Sequence, residues 1–234
     1  MSILVVIPTY NEKENLEPLV ERLLKLSGIK VNILIVDDAS PDGTGEIART
    51  LARHHYGRVS VLHREKKSGL GSAYLDGFSW ALKRGYDIIC QMDADGSHDP
   101  DDLSRLIKEV EGGADIAIGS RRVKGGRIEG WNAYRHLMSM MAAMMTRQAL
   151  GLKTMDVTAG FRCLSRRAVE LLIHSEIEAM GYAFQEESLA VLERAGMTVR
   201  EVPVTFRDRT AGSSKLDLSE VRGFLRMIWR LVRK

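Results

Sequence analysis

Cysteine is nearly absent: Cys90 and Cys163 are the only two in 234 residues, and neither belongs to a Cys-x-x-Cys pair. A disulfide framework and a zinc cluster are therefore excluded, and two buried, reduced thiols are expected. Long apolar runs are missing as well. No stretch approaches the roughly 18 apolar residues needed to cross a bilayer. The segment Ile3 to Ile7, stopped by Pro8, is too short for a secretory leader, so a cytoplasmic address is expected. Charge of one sign is scarce too: 34 Lys and Arg stand against 31 Asp and Glu, a formal net of +3. That total carries no field of the kind that gathers nucleic acid, and no nucleic-acid partner is expected. Two nucleotide fingerprints are lacking. After Gly69 and Gly71, Tyr74 replaces the third glycine of a dinucleotide turn, and no Gly-Lys-Ser/Thr phosphate loop exists.

What is present is the composition of a folded protein, 44% hydrophobic and 28% charged with five prolines. No repeat, low-complexity tract or clear linker divides it. Short β-branched runs at 3–7, 31–36, 59–62, 88–92 and 116–118 predict buried strands. Between them, helical spacing predicts a first helix through Leu16, Leu19, Val20, Leu23 and Leu24, opened by an Asn11–Glu14 capping pair and ended near Gly28. Further helices are predicted over 46–54 and over 72–84, the latter closed by Gly85. Such alternation implies a largely parallel α/β sheet flanked by helices. Beyond Gly119 the alternation fades. A basic, glycine-rich loop over 123–130 precedes a predicted helix over 131–150 that carries five of the eleven methionines. Helix over 183–195, strand over 199–206, a polar loop over 207–215 and a basic amphipathic helix near 218–232 complete the chain.

Ligands of parallel sheets sit beyond the carboxyl ends of the strands, and three loops there carry chemistry: Pro8 to Glu12, Asp37 to Gly43, and Asp93 to His98. Asp93 and Asp95, one residue apart after a strand, can present oxygen ligands to a hard cation that also takes diphosphate oxygens. The same pair also suits an acidic turn capping the helix that starts near Pro100. Asp38 can accept from a ribose or base, or bond its own turn, since Ser40-Pro41-Asp42-Gly43 is a strong turn sequence. Tyr10 and Glu12 can cover and read a nucleobase, or simply end a strand.

In order along the chain, Ile7-Pro8-Thr9-Tyr10-Asn11-Glu12, Asp37-Asp38, Gly69-Leu70-Gly71-Ser72-Ala73-Tyr74 and Asp93-Ala94-Asp95-Gly96-Ser97-His98-Asp99-Pro100 are followed by four more segments. These are Gly119-Ser120-Arg121, Gly160-Phe161-Arg162, Gly181-Tyr182-Ala183-Phe184-Gln185 and the run from Asp208 to Leu216. The set resembles the dolichol-phosphate (polyprenyl-phosphate) mannose synthases, family 2 glycosyltransferases of Rossmann-like GT-A fold, over nearly the whole chain. The resemblance implies a GT-A domain over 1–216 and a C-terminal amphipathic helical appendage over 217–234. It implies transfer of mannose from GDP-mannose to a membrane-embedded polyprenyl phosphate with Mg2+ or Mn2+, peripherally at the cytosolic face of a membrane, with a small membrane-anchoring partner protein in some relatives. By position, Pro8, Tyr10, Glu12, Val36 and Asp38 would hold guanosine. Asp93, Ala94 and Asp95 would meet the ribose-diphosphate and metal, with Asp93 and Asp95 as ligands. Arg121, Arg209 and Lys215 would hold phosphate, and Arg121 and Arg135 the acceptor phosphate. Asp95, Arg121 and Arg135 are the expected catalytic residues. UDP-glucose as donor, and a nucleotide-sugar-binding module without turnover, are the alternatives.

Two departures from that pattern matter. Ser97 stands where the family can place an amide ligand, and Ser139-Met140 replaces a Ser-Arg pair in the acceptor helix, with Arg147 as a substitute cation. Glu186 and Glu187 read either as a base or as a solvated helix start. The methionine-rich stretch reads either as core filling or as an interfacial surface, as does the closing helix with its cationic face.

Overall fold

The computed structural model describes residues 1–181, 183–208 and 218–233, apart from the side chains of 218–222 and 233. A seven-stranded sheet runs through it in the order β3-β2-β1-β4-β7-β5-β8. In chain order these strands are β1 (Ile3–Thr9), β2 (Asn32–Asp37), β3 (Val59–His63), β4 (Ile88–Gln91), β5 (Ile116–Ser120), β7 (Arg162–Ser165) and β8 (Val199–Pro203). A second, two-stranded parallel sheet joins β6 (Arg127–Glu129) to β9 (Thr205–Arg207). All pairings in the large sheet are parallel except those of β7, which runs antiparallel between β4 and β5.

Side chains alternate across a strand, so each β-branched run feeds two cores. Leu4, Val6, Leu34 and Val36 face one layer, built from α3 (Leu70–Lys83), α5 (Ala133–Leu150), α6 (Arg166–His174), α7 (Phe184–Arg194) and α8 (Leu218–Arg233). Val5, Ile7, Ile33 and Ile35 face the other, built from α1 (Leu16–Leu24), α2 (Thr44–His54) and α4 (Leu103–Glu111). The closing helix is seated on the domain: Met227 and Leu231 are buried in the first layer, and Arg194 donates to the Leu231 carbonyl at 3.0 Å.

The chain leaves β1 to β2 and β3 on one side and returns to β4 on the other, so the connections reverse between β1 and β4. A crevice opens beyond the strand ends at such a reversal. Both flanking tips bear predicted site residues, Pro8 to Glu12 and Asp93 to Asp95.

Several local expectations hold and some need correction. Gly85, at φ 76°, closes α3 as expected, its N–H bonding the Leu82 carbonyl at 3.1 Å. Asn11 and Glu14 form no capping pair. Asn11 instead sits in the left-handed region at φ 58°, and α1 starts only at Leu16, after Asn15. That helix ends at Leu24, before Gly28. The predicted strand over 199–206 is two strands, parted at Val204, whose N–H bonds Ser120 at 3.0 Å. The strand β7 and helix α6 have no counterpart in the sequence reading.

The fit of α3 onto β1 depends on Gly77, where a Cβ would lie 2.5 Å from Val6 Cγ1 in a buried contact. Despite alanine's better helix propensity, Gly77→Ala should lower the unfolding free energy by about 1–3 kcal/mol. A urea melt with a lower midpoint and unchanged m-value is the expected result; an unchanged midpoint would refute it.

Candidate active site

The tip of β1 is held by the turn that follows β2. Ser40 Oγ accepts from Asn11 N at 3.1 Å, Thr44 Oγ1 from Glu12 N at 3.0 Å, and Asp42 Oδ2 from Lys13 N at 3.3 Å. Asp42 Oδ1 also accepts from Thr44 N at 3.0 Å, where α2 begins. The strong turn sequence therefore positions Tyr10 and Glu12 as well as reversing the chain. Lys67 Nζ lies 3.9 Å from the Tyr10 ring centre, and Glu12 Oε2 accepts from Asn15 Nδ2 at 2.9 Å.

Asp38 is buried, and its carboxylate organises the neighbouring loop. It accepts from Arg64 Nη1 at 2.7 Å, Ser68 N at 3.0 and 3.1 Å, and Gly69 N at 3.0 Å. The glycines that follow serve a close approach between chains. A Cβ on Gly69 would lie 2.5 Å from the Met180 carbonyl oxygen, and one on Gly71 2.6 Å from that of Ala179. Val36, in β2, is wholly buried in the core, and Pro8 is half-buried at the tip of β1.

Beyond β4, Asp93 accepts from the Tyr74 hydroxyl at 3.3 Å, and its N–H donates to His98 Nδ1 at 3.3 Å. That bond places the ring proton of neutral His98 on Nε2. Burial lowers the His98 pKa below the ordinary range, against the pull of Asp93 and Asp95. Ala94 and Asp95 are buried, and Asp95 Oδ1 accepts from Ser97 N at 3.0 Å. The Ser97 hydroxyl is buried with no hydrogen-bond partner among the described residues.

A cation site can be judged against this donor set. No group of three or more His, Cys, Asp or Glu converges to hold a metal among the described residues. Two adjacent carboxylates with a serine hydroxyl in the same turn are an all-oxygen set. They suit a small hard cation that completes its shell with water and phosphate oxygens.

Opposite this turn lies a buried ion pair. Arg121 donates Nε and Nη2 to Asp156 at 2.8 and 2.6 Å, and Nη2 also to Thr158 at 2.6 Å. Burial alone would raise the Asp156 pKa, but these bonds hold it below the usual range. Arg121 is raised in turn because the same bonds outweigh its desolvation. Arg121 therefore meets the site as half of a pair. Arg135, in the first turn of α5, lies over Trp131 at 4.3 Å and donates to Asp208 at 2.7 Å. Edge contacts from His98 to Phe206 (6.0 Å) and from Phe206 to Trp131 (5.7 Å) join the aspartate turn to Arg135. Phe206 also lies 5.3 Å from the Arg121 guanidinium, so one run of ring contacts joins the aspartate turn to Arg121 and Arg135, and Arg207 N bonds Ser97 O at 3.2 Å beside it. Arg209 and Lys215 lie outside the described residues.

Four participants escape a reading by spacing. Arg122 donates to Ser139 at 2.8 Å, supplying from a loop the cation missing beside that serine, whereas Arg147 turns to the Lys153 carbonyl at 3.4 Å. Arg162 is fully buried with only carbonyls and a hydroxyl as partners, and burial lowers its pKa to about 10. Asp156 lies in a segment without regular structure, and its partner is 35 residues away. Gln185 looks like part of a polar helix start, yet Gln185, Glu186 and Glu187 are only 4%, 6% and 1% exposed. The solvated reading of this helix start is therefore corrected: Phe184 and Leu189 carry it into the core.

Comparison with known proteins places these features. The description "Glycosyl transferase family 2" matches residues 4–172. A polyprenol monophosphomannose synthase of Mycolicibacterium smegmatis is 47% identical over 94% of this chain and 82% of its own. An undecaprenyl-phosphate mannosyltransferase of Micrococcus luteus is 45% identical over 92% and 88%. Among solved structures, glucosyl-3-phosphoglycerate synthase from Mycobacterium tuberculosis, in complex with Mn2+, uridine-diphosphate-glucose and phosphoglyceric acid, superposes with a TM-score of 0.72. It is 20% identical over 99% of this chain and 80% of that one. The fold is accordingly of GT-A type.

Glu186 gives a pH signature. Burial raises its pKa from 4.5 to about 7, against Arg162 and Arg121. The folded protein then keeps a proton that the unfolded chain has already released between those values, so stability falls as pH rises through that window and is flat above it. Glu186→Gln should remove this slope, gaining up to about 3 kcal/mol on wild type between pH 4.5 and 8. Parallel denaturation curves for the two proteins across that range would refute the assignment.

Proposed function

This chain belongs to glycosyl transferase family 2, and from that premise we propose that it transfers mannose from GDP-mannose to a polyprenyl monophosphate at the cytosolic face of a membrane. The carrying observation is that the aspartate turn is joined, through His98, Phe206, Trp131 and Arg135, to a helix with an exposed apolar face. α5 buries only Ala143, Thr146 and Leu150, while Leu137, Met138, Met140, Met141, Met144 and Met145 are exposed. Packed alongside, α8 exposes Leu225, Trp229 and Val232. Core filling does not account for these methionines, and an apolar surface flanked by arginines suits a lipid interface. No helix among the described residues is long and apolar enough to cross a membrane. The names of the two relatives support the same acceptor class.

In this reading Pro8, Tyr10 and Glu12 border the nucleoside, with Val36 supporting that strand end from the core and Asp38 shaping the loop against it. Asp93 and Asp95 hold Mg2+ or Mn2+, which when bound supplies positive charge at the donor's diphosphate. The acceptor phosphate, largely ionised near neutral pH because its second pKa is about 6, attacks the anomeric carbon with its own oxygen. That C–O bond forms as the bond to the diphosphate breaks, and GDP leaves. A strong base is not required. Arg135, Arg122 with Ser139, and the Arg121–Asp156 pair set the charge that two approaching anions need. Arg209 and Lys215 are assigned to the diphosphate. One displacement inverts the α-linked donor to a β-linked product.

Labelled GDP-mannose, divalent ion and a short polyprenyl phosphate should give a β-mannolipid by NMR, with chelator or Asp95→Ala costing roughly 100-fold or more in rate. A product made only from UDP-glucose, retained configuration, or indifference to chelator would each sink part of the reading.

On the acceptor side, Arg135→Ala should raise the KM for polyprenyl phosphate about tenfold or more with GDP-mannose affinity unchanged. Met144→Glu with Trp229→Glu should release the protein from anionic vesicles in a flotation assay. Equal losses toward both substrates, or flotation unaffected, would count against the two assignments.

A further inference from the structure

Gln185 stands in the first turn of α7 and is 4% exposed, and neither its buried amide oxygen nor the nitrogen has a hydrogen-bond partner among the described residues. A buried amide left in this way is disfavoured, so its retention calls for a ligand. The residue is not loosely held. Its carbonyl accepts from Arg162 Nη1 at 2.9 Å and from Ser188 Oγ at 3.1 Å, which fixes the backbone from which the side chain projects.

Its surroundings point to a sugar. A Cβ built on Gly160 would stand 3.5 Å from Gln185 Nε2 and 3.4 Å from Asp93 Oδ2, so the amide and the carboxylate flank one point. Gly160 has no left-handed backbone that would demand glycine; the missing side chain there leaves that point open. Glu186 Oε2, on the next residue, is likewise buried and unpartnered. The nucleoside-facing groups lie at the tips of β1 and β2, and the cation-suited pair at the tip of β4. Past Asp93, away from the nucleoside, comes the hexose. An amide carries no charge and offers both a donor and an acceptor, which matches ring hydroxyls that do the same and would do little for a diphosphate.

We infer that Gln185 reads the donor hexose, its amide hydrogen-bonding two ring hydroxyls, and so sets which sugar the site accepts. This rests on the sugar-transfer reading above. A site built to bond hydroxyls rejects a mismatched partner strongly, because its buried polar groups are then left unpaired.

The test is Gln185→Leu, with Gln185→Met as a second variant of similar length. Calorimetry with GDP and GDP-mannose, and with UDP and UDP-glucose, gives the affinity gained from the sugar. The variants should keep GDP affinity within about twofold, lose the sugar-dependent gain, and fall on the order of 100-fold in kcat/KM for GDP-mannose. Their Tm should equal or exceed that of wild type, since an unpartnered amide is replaced by an apolar group. A lowered Tm with the sugar-dependent gain intact would make Gln185 structural and overturn the inference, as would a parallel loss of GDP affinity. If wild type gains affinity only from glucose, the mannosyl reading falls while Gln185 is tested by the UDP pair. Gain from neither sugar would overturn both.

Discussion

Asp38 gives up its carboxylate to two backbone N–H groups and a guanidinium on the neighbouring loop, and the same device recurs at other loops. Asp42 takes Lys13 and Thr44, Glu187 takes Glu178 and Ala179, Glu193 takes Lys153 and Thr154, and Glu201 takes Met155 and Asp156. Parallel strands cannot be joined by tight turns, so the crossovers leave many loop amides outside any ladder. A carboxylate that accepts several of them satisfies donors that would otherwise be buried unpaired, and fixes one loop against the next. The cleft has a defined shape because its walls are bonded to acids rather than to each other.

Those acids impose an electrostatic problem that the arginines answer. Asp93, Asp95, Asp156 and Glu186 gather within reach of Arg121, Arg122 and Arg162. Asp156 is ionised because Arg121 bonds it twice; Glu186, with no such fork, is driven toward its neutral form. The difference between the two carboxyls is one of geometry, since both are buried. Arg162, solvated by three carbonyls and the Ser188 hydroxyl, keeps positive charge behind the helix start that carries Gln185 and Glu186.

How much of this was legible follows from the range of the interactions. Val5, Ile33 and Ile89 announce strands because their burial is set by their neighbours in sequence. The acids at the tips of β2 and β4 were readable because topology forces strand ends toward the crevice. β7 was not, because its four residues begin with a buried arginine that depends on Gln185 and Ser188, 23 and 26 residues on, as well as on the carbonyls of Val157 and Ala159. Asn11 suited a cap by type, but its backbone was required for the turn toward Ser40. Asp156 and Gln185 resemble loop and surface residues locally; only packing against residues distant in sequence makes the one a counter-ion, to Arg121 35 residues away, and buries the other.

The placement of α5 joins the cleft to its apolar surface by plain geometry. At 1.5 Å per residue an 18-residue helix runs about 27 Å. Its anchoring residues, Ala143, Thr146 and Leu150, all lie in the second half. The first half is held instead by the Asn132 cap on Arg135 N, by Arg122 on Ser139 and by Asp208 on Arg135. Each of those contacts is polar and two involve the arginines that border the cleft. An apolar surface along α5 cannot therefore be moved relative to the cleft without disturbing the same side chains. On the far side α8 is fixed in kind, since Arg230 pairs with Glu178 and Glu187, and Glu187 is the chain neighbour of Glu186. Arg230 and Arg135 thus bond both helices to neighbouring segments, so the apolar faces of α5 and α8 keep one position relative to the turn that carries Asp93 and Asp95.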